Sequence, residues 1–328
     1  MSKAIGRLFN VGISKETTRG TQAGSPTFYV PKRAFTHFDR VVKARSELSY
    51  NNIIDQGNQN PVALKWAEGS LETDLLSKSF GLFLLSLLGT VSSSGAVDSA
   101  YTHTFTLQND NQHDSLSLWL DDPVTGDIVF TLAMINVLTL EFLPEDIVKV
   151  SIDFESKASK GVSDLTPSYS AESKFLGRHL TFKIEDATGD LAAGSNVPIK
   201  SLTLRFNKNV IRDNVLGTVD PADILNQQLG IEGEVVLNLE NRAYKDLMLN
   251  GSYKAVRIQL INTDDTIGAG ATNPQFIIDF SRVDFEEWEP DRPNDEISTQ
   301  RILFKVLWDI TNGDVINNCQ LINGQDVY

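Results

Sequence analysis

One cysteine in 328 residues, Cys319, excludes an intramolecular disulfide framework and any Cys-rich zinc site, and fits synthesis in a reducing cytosol. Histidine is scarce too. His37, His103, His113 and His179 stand at least ten positions apart without HExxH or H-x-H spacing, and they read as surface or strand-edge imidazoles. There is no G-x-S-x-G nucleophile elbow, and Gly268-Ala269-Gly270 lacks the following helix or lysine of a phosphate cradle. Asp110, Asp114, Asp121 and Asp122 do not have the spacing of a calcium loop, and Asp121-Asp122 belongs to a Pro-Gly turn. No metal, cofactor or catalytic residue is expected, so the chain reads as a non-enzyme. The most apolar stretch, Phe80–Leu88, has nine residues where a membrane helix needs about twenty. No membrane insertion is expected. The opening Met1–Arg7 has no apolar core of a secretory signal, and no export is implied.

Positive charge is also short, with 29 Lys and Arg against 43 Asp and Glu, a net −14. Such a field disfavours non-specific wrapping of nucleic acid. The imbalance is uneven. Residues 1–45 hold nine Lys or Arg against Glu16 and Asp39, a net +7, which leaves −21 for the rest.

What is abundant is alternation of period two, broken by Gly, Asn, Asp and Pro, the mark of an antiparallel all-β chain. Val150–Phe154, Leu116–Leu120, Leu202–Phe206 and Ile302–Leu307 are clear strands, and Leu140–Val148 reads as a hairpin turning at Pro144-Glu145. Two segments break the rule. Apolar residues at 80, 83, 84, 87 and 88 predict a buried helix, with Ser77 as N-cap and Gly89 as stop. Asn241-Arg242-Ala243-Tyr244 opens a second helix that ends at Gly251.

The two helices and the strands before them lie 164 positions apart, half the chain, with Glu68-Gly69-Ser70-Leu71 matching Glu232-Gly233-Glu234-Val235. Shared order and capping suggest a duplicated module. The expected fold is mainly β, with two tandem β-sandwich or barrel modules, each with one flanking helix. The seam is placed in the Ser-rich stretch 156–176, giving a basic arm over 1–24, a first module over 25–165 and a second over 166–328. Two long loops, Tyr50–Asn60 and Asn207–Gln228, precede the strand-helix blocks and are expected to serve function.

Gly12–Thr21, Glu68–Leu75, Tyr101–Phe105 and Ile199–Asn207, taken in this order, resemble the major tail tube proteins of long-tailed, siphovirus-like bacteriophages. Gly12–Thr21 is similar to a G-x-x-K-E-T-x-x-G-T opening of that family. Glu68–Leu75 with the helix ending Leu87-Leu88-Gly89, Tyr101–Phe105 with Ser115–Trp119, and Ile199–Asn207 with Ile231-Glu232-Gly233 are similar to it in the same order. The resemblance implies a structural virion protein of the tail, assembled in the host cytoplasm. Its subunits would form rings whose inner strands join into one barrel, and the rings would stack into a conduit for double-stranded DNA. Its implied partners are itself and other tail proteins: tape measure, tail terminator and distal tail. A duplicated module implies homotrimeric rings of pseudo-sixfold symmetry, with a hexamer left open.

Within that reading, Glu68, Ser70, Glu72 and Asp74 share one strand face, as do Glu232, Glu234 and Asn238, and these are the expected lumen-facing residues. Lys3, Arg7, Lys15 and Arg19 are the expected inter-subunit arm. Its docking surface is Asp284, Glu286, Glu287, Glu289 and Asp291, within an acidic run that ends at Glu296. The rival readings are a carbohydrate- or surface-binding β-sandwich, which would want a row of exposed aromatics, and a carboxylate-using hydrolase, for which only acidity argues.

Overall fold

Alternation builds most of the molecule, and the computed structural model describes it over residues 5–45, 48, 53 and 60–328. In chain order the first elements are β1 Asn10–Lys15, β2 Phe28–Val30, β3 Lys32–Lys43, β4 Val62–Asp74, α1 Phe80–Leu88, β5 Gly89–Val97, β6 Ala100–Leu107, β7 Leu116–Asp121, β8 Ile128–Phe142, β9 Lys149–Ser156 and β10 Lys160–Gly161. There follow β11 Leu180–Glu185, β12 Ile199–Asn207, β13 Ile211–Asp213, β14 Asp223–Leu225, β15 Gly230–Asn238, α2 Ala243–Asn250, β16 Lys254–Ile261, β17 Gln275–Asp291, β18 Thr299–Val306 and β19 Ile316–Asn323. The fold is mainly β.

One antiparallel sheet runs β3-β4-β9-β8-β12-β15-β18-β17. Its first four strands and its last four repeat one order. They also repeat their irregularities: the β8–β9 ladder skips Asn136 and the β17–β18 ladder skips Glu286, while β3 bulges at Arg33 and β12 at Lys200. In both halves a strand glycine lies opposite a phenylalanine, Gly69 opposite Phe154 and Gly233 opposite Phe304. The ring covers the place a Cβ would take, so both positions demand glycine.

The same two long strands also reach a second layer. The first part of β8 pairs with β7 and β10, with β1 and β2 beyond β7, and the first part of β17 pairs with β16 and β19, with β11 beyond β16. The β5–β6 hairpin adds to β19. A chain division at 165/166 thus falls between β10 and β11, yet β8 pairs with β12 and β6 with β19 across it. A single apolar cluster joins residues of both halves, among them Phe83, Phe142, Leu204 and Phe280.

All nine residues of α1 are buried, as expected of a helix apolar on every side. Its cap differs from expectation. The helix starts two residues later than a Ser77 cap requires, and the N–H groups of Lys78 and Ser79 donate to the Glu172 carboxylate at 2.8 and 2.7 Å. Ser77 instead accepts the Ser173 N–H, so the connection between the halves caps the helix. In α2, Asn241 accepts the Ala243 N–H at 2.8 Å, and Gly251, at φ 60°, lets Ser252 N–H reach Leu247 O.

Three of the four histidines are buried, not on the surface: His103, His113 and His179. His103 lies between Ser93, whose hydroxyl meets Nδ1 at 2.7 Å, and the Gln325 carbonyl, 2.8 Å from Nε2, so a neutral ring is satisfied. Burial holds its pKa below the usual 6.5, against the opposing pull of Gln325, Asn323 and Asp326. A depressed imidazole contributes stability that is complete above the unfolded value and is lost as pH falls below it. Glu172, whose carboxyl burial raises, works in the opposite sense. The expected result is a melting temperature that falls between pH 7 and pH 5 less steeply in His103→Gln than in the unmodified protein; equal slopes would count against a neutral buried ring.

Candidate assembly surface

The eight-stranded sheet has one face on the core and one on solvent. In β4, Ala67, Leu71 and Thr73 are buried while Glu68, Ser70, Glu72 and Asp74 alternate with them outward. In β15, Ile231, Val235 and Leu237 are buried while Glu232, Glu234 and Asn238 point the other way. The two expected sets therefore lie on one continuous face, joined through Asp153 and Glu155 of β9, Glu141 of β8 and Arg205 of β12, which stand in register between them. Sequence reasoning did not name these connecting residues, although the alternation in Val150–Phe154 carries their signal.

The face is not bare acid. Arg40 meets Glu68 at 2.5 Å, Arg301 holds Glu234 at 2.8 Å and Glu289 at 2.9 Å, and Lys305 stands 4.0 Å from Glu232. Asp74 takes Arg33 at 2.7 Å and Lys174 at 2.9 Å; burial opposes its ionisation, but these two cations hold its pKa below the usual carboxylate value. Among the described residues, no cation stands directly opposite Glu72, Asp153, Glu287 or Asp291 in the ladders, and acids outnumber bases across the face.

The expected acidic docking surface lies on a strand. Asp284, Glu287, Glu289 and Asp291 belong to β17, opposite Lys305, Leu303, Arg301 and Thr299, and Glu286 occupies the bulge. They continue the face that carries Glu232 and Glu234, with Phe285 turned into the core between them. The expected arm changes as well. Lys3 lies outside the described residues, and Arg7 is exposed in a 3-10 turn, Gly6–Leu8, but residues 10–15 form β1 between β2 and β7. Lys15 meets Asp114 at 2.8 Å, and Arg19 meets Asp223 at 2.5 Å and the Ile224 carbonyl at 2.8 Å. These two cations are matched within their own chain. The clue was the alternation of Val11 and Ile13, both fully buried, beneath the charge pattern.

Of the two long loops, Tyr50–Asn60 falls outside the described residues except at 53 and 60. The other, 208–229, holds the β13–β14 hairpin and clasps the first half: Val219 O accepts the Lys65 N–H at 2.8 Å, Arg212 stacks 4.2 Å from the Trp66 ring, and the buried Lys208 ammonium reaches Ser86 O in the last turn of α1. Trp119 is buried, Trp66 lies under Arg212, Trp288 is half-buried and donates to Gln300, and Trp308 is exposed. No row of exposed tryptophans exists for a sugar. Cys319 is fully buried, and burial pushes its thiol far above the ordinary value. Among the described residues, no three His, Cys, Asp or Glu are placed to hold a metal ion, and no helix is long and apolar enough to cross a membrane.

The sheet thus presents one outward polar face, and among the described residues its outer strands, β3 and the later part of β17, each pair on one side only. A family profile described as phage tail tube protein matches residues 6–300, and the chain belongs to that family. Its place is accordingly the virion tail, as a structural component that assembles with itself and with other tail proteins. No curated protein matches the chain.

Proposed function

We propose that this chain is a fused pair of tail tube modules that self-assembles, without catalysis, into homotrimeric rings of pseudo-sixfold symmetry. The rings stack into a conduit through which double-stranded DNA passes, as in a siphovirus-like tail. The observation that carries this reading is the eight-stranded sheet, whose halves repeat strand order, bulges and Gly–Phe contacts while, among the described residues, both outer strands keep an unpaired edge. An open edge in a soluble monomer is an aggregation hazard unless a partner covers it.

Strand spacing of about 4.8 Å and a tilt near 40° make three such sheets close into a barrel roughly 50 Å across, whereas six copies would give about 100 Å. The smaller barrel suits a single duplex. Its inner wall would be the polar face with Glu68, Ser70, Glu72, Asp74, Glu232, Glu234 and Asn238. A duplex carries one negative charge per ~1.7 Å, so a wall whose acids exceed its bases repels phosphate and gives it nothing to grip. Arg301 and Lys305, already engaged by carboxylates, leave few free cations for DNA.

Electron microscopy of the purified, concentrated protein is expected to show hollow tubes built of three-subunit rings. A protein that stays monomeric, or sixfold rings of whole chains, would refute the reading.

A further inference from the structure

In the eight-stranded sheet the two halves share one joint, β8 with β12, and among the described residues the sheet ends on β3 and on the later part of β17, each without a strand on its outer side. At the joint, β8 pairs with β12 from Val137–Asn207 to Phe142–Leu202, and the turn after β8 seats on a 3-10 turn, Gly177–His179, ahead of β11. There the Gly177 N–H donates to Asp146 O at 3.0 Å, and a Cβ on Gly177 would overlap the Leu143 carbonyl. The free end repeats the receiving side. Gly6-Arg7-Leu8 forms the same 3-10 turn ahead of β1: Leu8 N–H to Ile5 O matches His179 N–H to Leu176 O, both at 3.0 Å. Around Gly6, however, a Cβ would meet nothing within 4 Å, and a groove lined by Gly6, Arg7, Lys32, Arg33 and Phe35 stands open beside β3. Among the described residues, β3 pairs only with β4, and β17 from Asp284 onward pairs only with β18.

We infer that the end of β17 and the β17–β18 turn of a second copy fill this site in the register of the internal joint. The inference rests on the ring reading above and adds the contact residues. Partners in the repeated ladders fix the equivalence: positions in β3 match positions 167 later in β12, since Phe35 faces Leu71 as Leu202 faces Val235, and positions in β8 match positions 150 later in β17, since Ile135 faces Phe154 as Phe285 faces Phe304. The internal pair Thr203–Glu141 then becomes Thr36 with the second copy's Asp291, and Arg205–Thr139 becomes Phe38 with its Glu289. Asp146 becomes Glu296, whose carbonyl takes the Gly6 N–H. Charge agrees with this placement, because Arg7 and Lys32, which line the receiving groove, meet the acidic end of the inserted hairpin, while Arg33 beside them is held by Asp74.

Two variants test it in the full-length protein. Gly6→Val is expected to keep the circular dichroism and melting temperature of the unmodified chain and to lose rings and tubes. Thr36→Cys with Asp291→Cys is expected to give oxidised dimers and trimers at a yield several-fold above Thr36→Cys with Glu289→Cys, a diagonal pair outside disulfide reach. Rings from the unmodified chain together with normal assembly of Gly6→Val, or with the diagonal pair cross-linking as well or better, would overturn the register while leaving the ring reading intact. Absence of rings from the unmodified chain would remove both.

Discussion

Glu16→Ala is expected to remove several kcal/mol of stability and to lower the melting temperature by about 10 °C or more. Glu16 is 3% exposed, and its carboxylate accepts four hydrogen bonds: from the Ser115 hydroxyl at 2.6 Å, the Ser117 hydroxyl at 3.0 Å, the Gly20 N–H at 2.7 Å and the Leu132 N–H at 2.9 Å. It thereby ties the segment after β1 to β7 and to the bend in β8. That bend is strained, since Leu132 takes φ 54° where a branched side chain is disfavoured. Alanine would leave four donors without an acceptor, and each buried donor costs about 1–3 kcal/mol when stranded. Against a total of about 5–15 kcal/mol this is a large fraction. Denaturant or thermal unfolding measures it; a change below about 2 °C would show that the donors find other partners.

Gly69→Val and Gly233→Val are expected to be comparably severe, but for distinguishable reasons. At Gly233 the obstruction is the Phe304 ring, a side chain only 2% exposed. At Gly69 it is both the Phe154 ring and the backbone carbonyl of Thr36 on the neighbouring strand. Overpacking of this kind costs about 1–3 kcal/mol where side chains can yield and more where they cannot. Phe304→Leu should therefore restore part of the stability lost in Gly233→Val. Phe154→Leu should restore much less in Gly69→Val, because the carbonyl stays in place. Equal rescue at both sites, read from denaturation midpoints, would show that the Thr36 carbonyl can move.

How far the sequence could be read depended on what kind of signal each segment carried. Strands with one buried face, such as Val150–Phe154, were legible because burial imposes period two, and α1 was legible because seven Phe and Leu residues in nine, with helical spacing, have few other uses. The repeat was only partly legible. An offset of 164 holds from Gly69 to Gly233, but it is 167 for β3 and β12 and 150 for β8 and β17, so no single shift aligns the halves. The β5–β6 hairpin, which lies between α1 and β7 and has no counterpart between α2 and β16, shortens the second copy there, and a longer β16–β17 connection makes up part of the difference. Charge misled in two places. The acidic run after Val283 gave no sign of being a strand because edge strands carry polar residues, and the basic opening hid a buried strand, with Lys15 at its end and Arg19 just beyond finding acids far along the chain.

The sequence by itself determined the strand-rich class, the helix at 80–88, the absence of recognisable catalytic motifs and the family resemblance, since these follow from local periodicity, residue chemistry and order along the chain. Only the tertiary structure decided that the two acidic strands share one face, that Asp284–Asp291 continues it, and that Gly6 stands open where Gly177 is filled. Those facts depend on which distant strands pair and in what register, and pairing is set by long-range burial that no local pattern encodes.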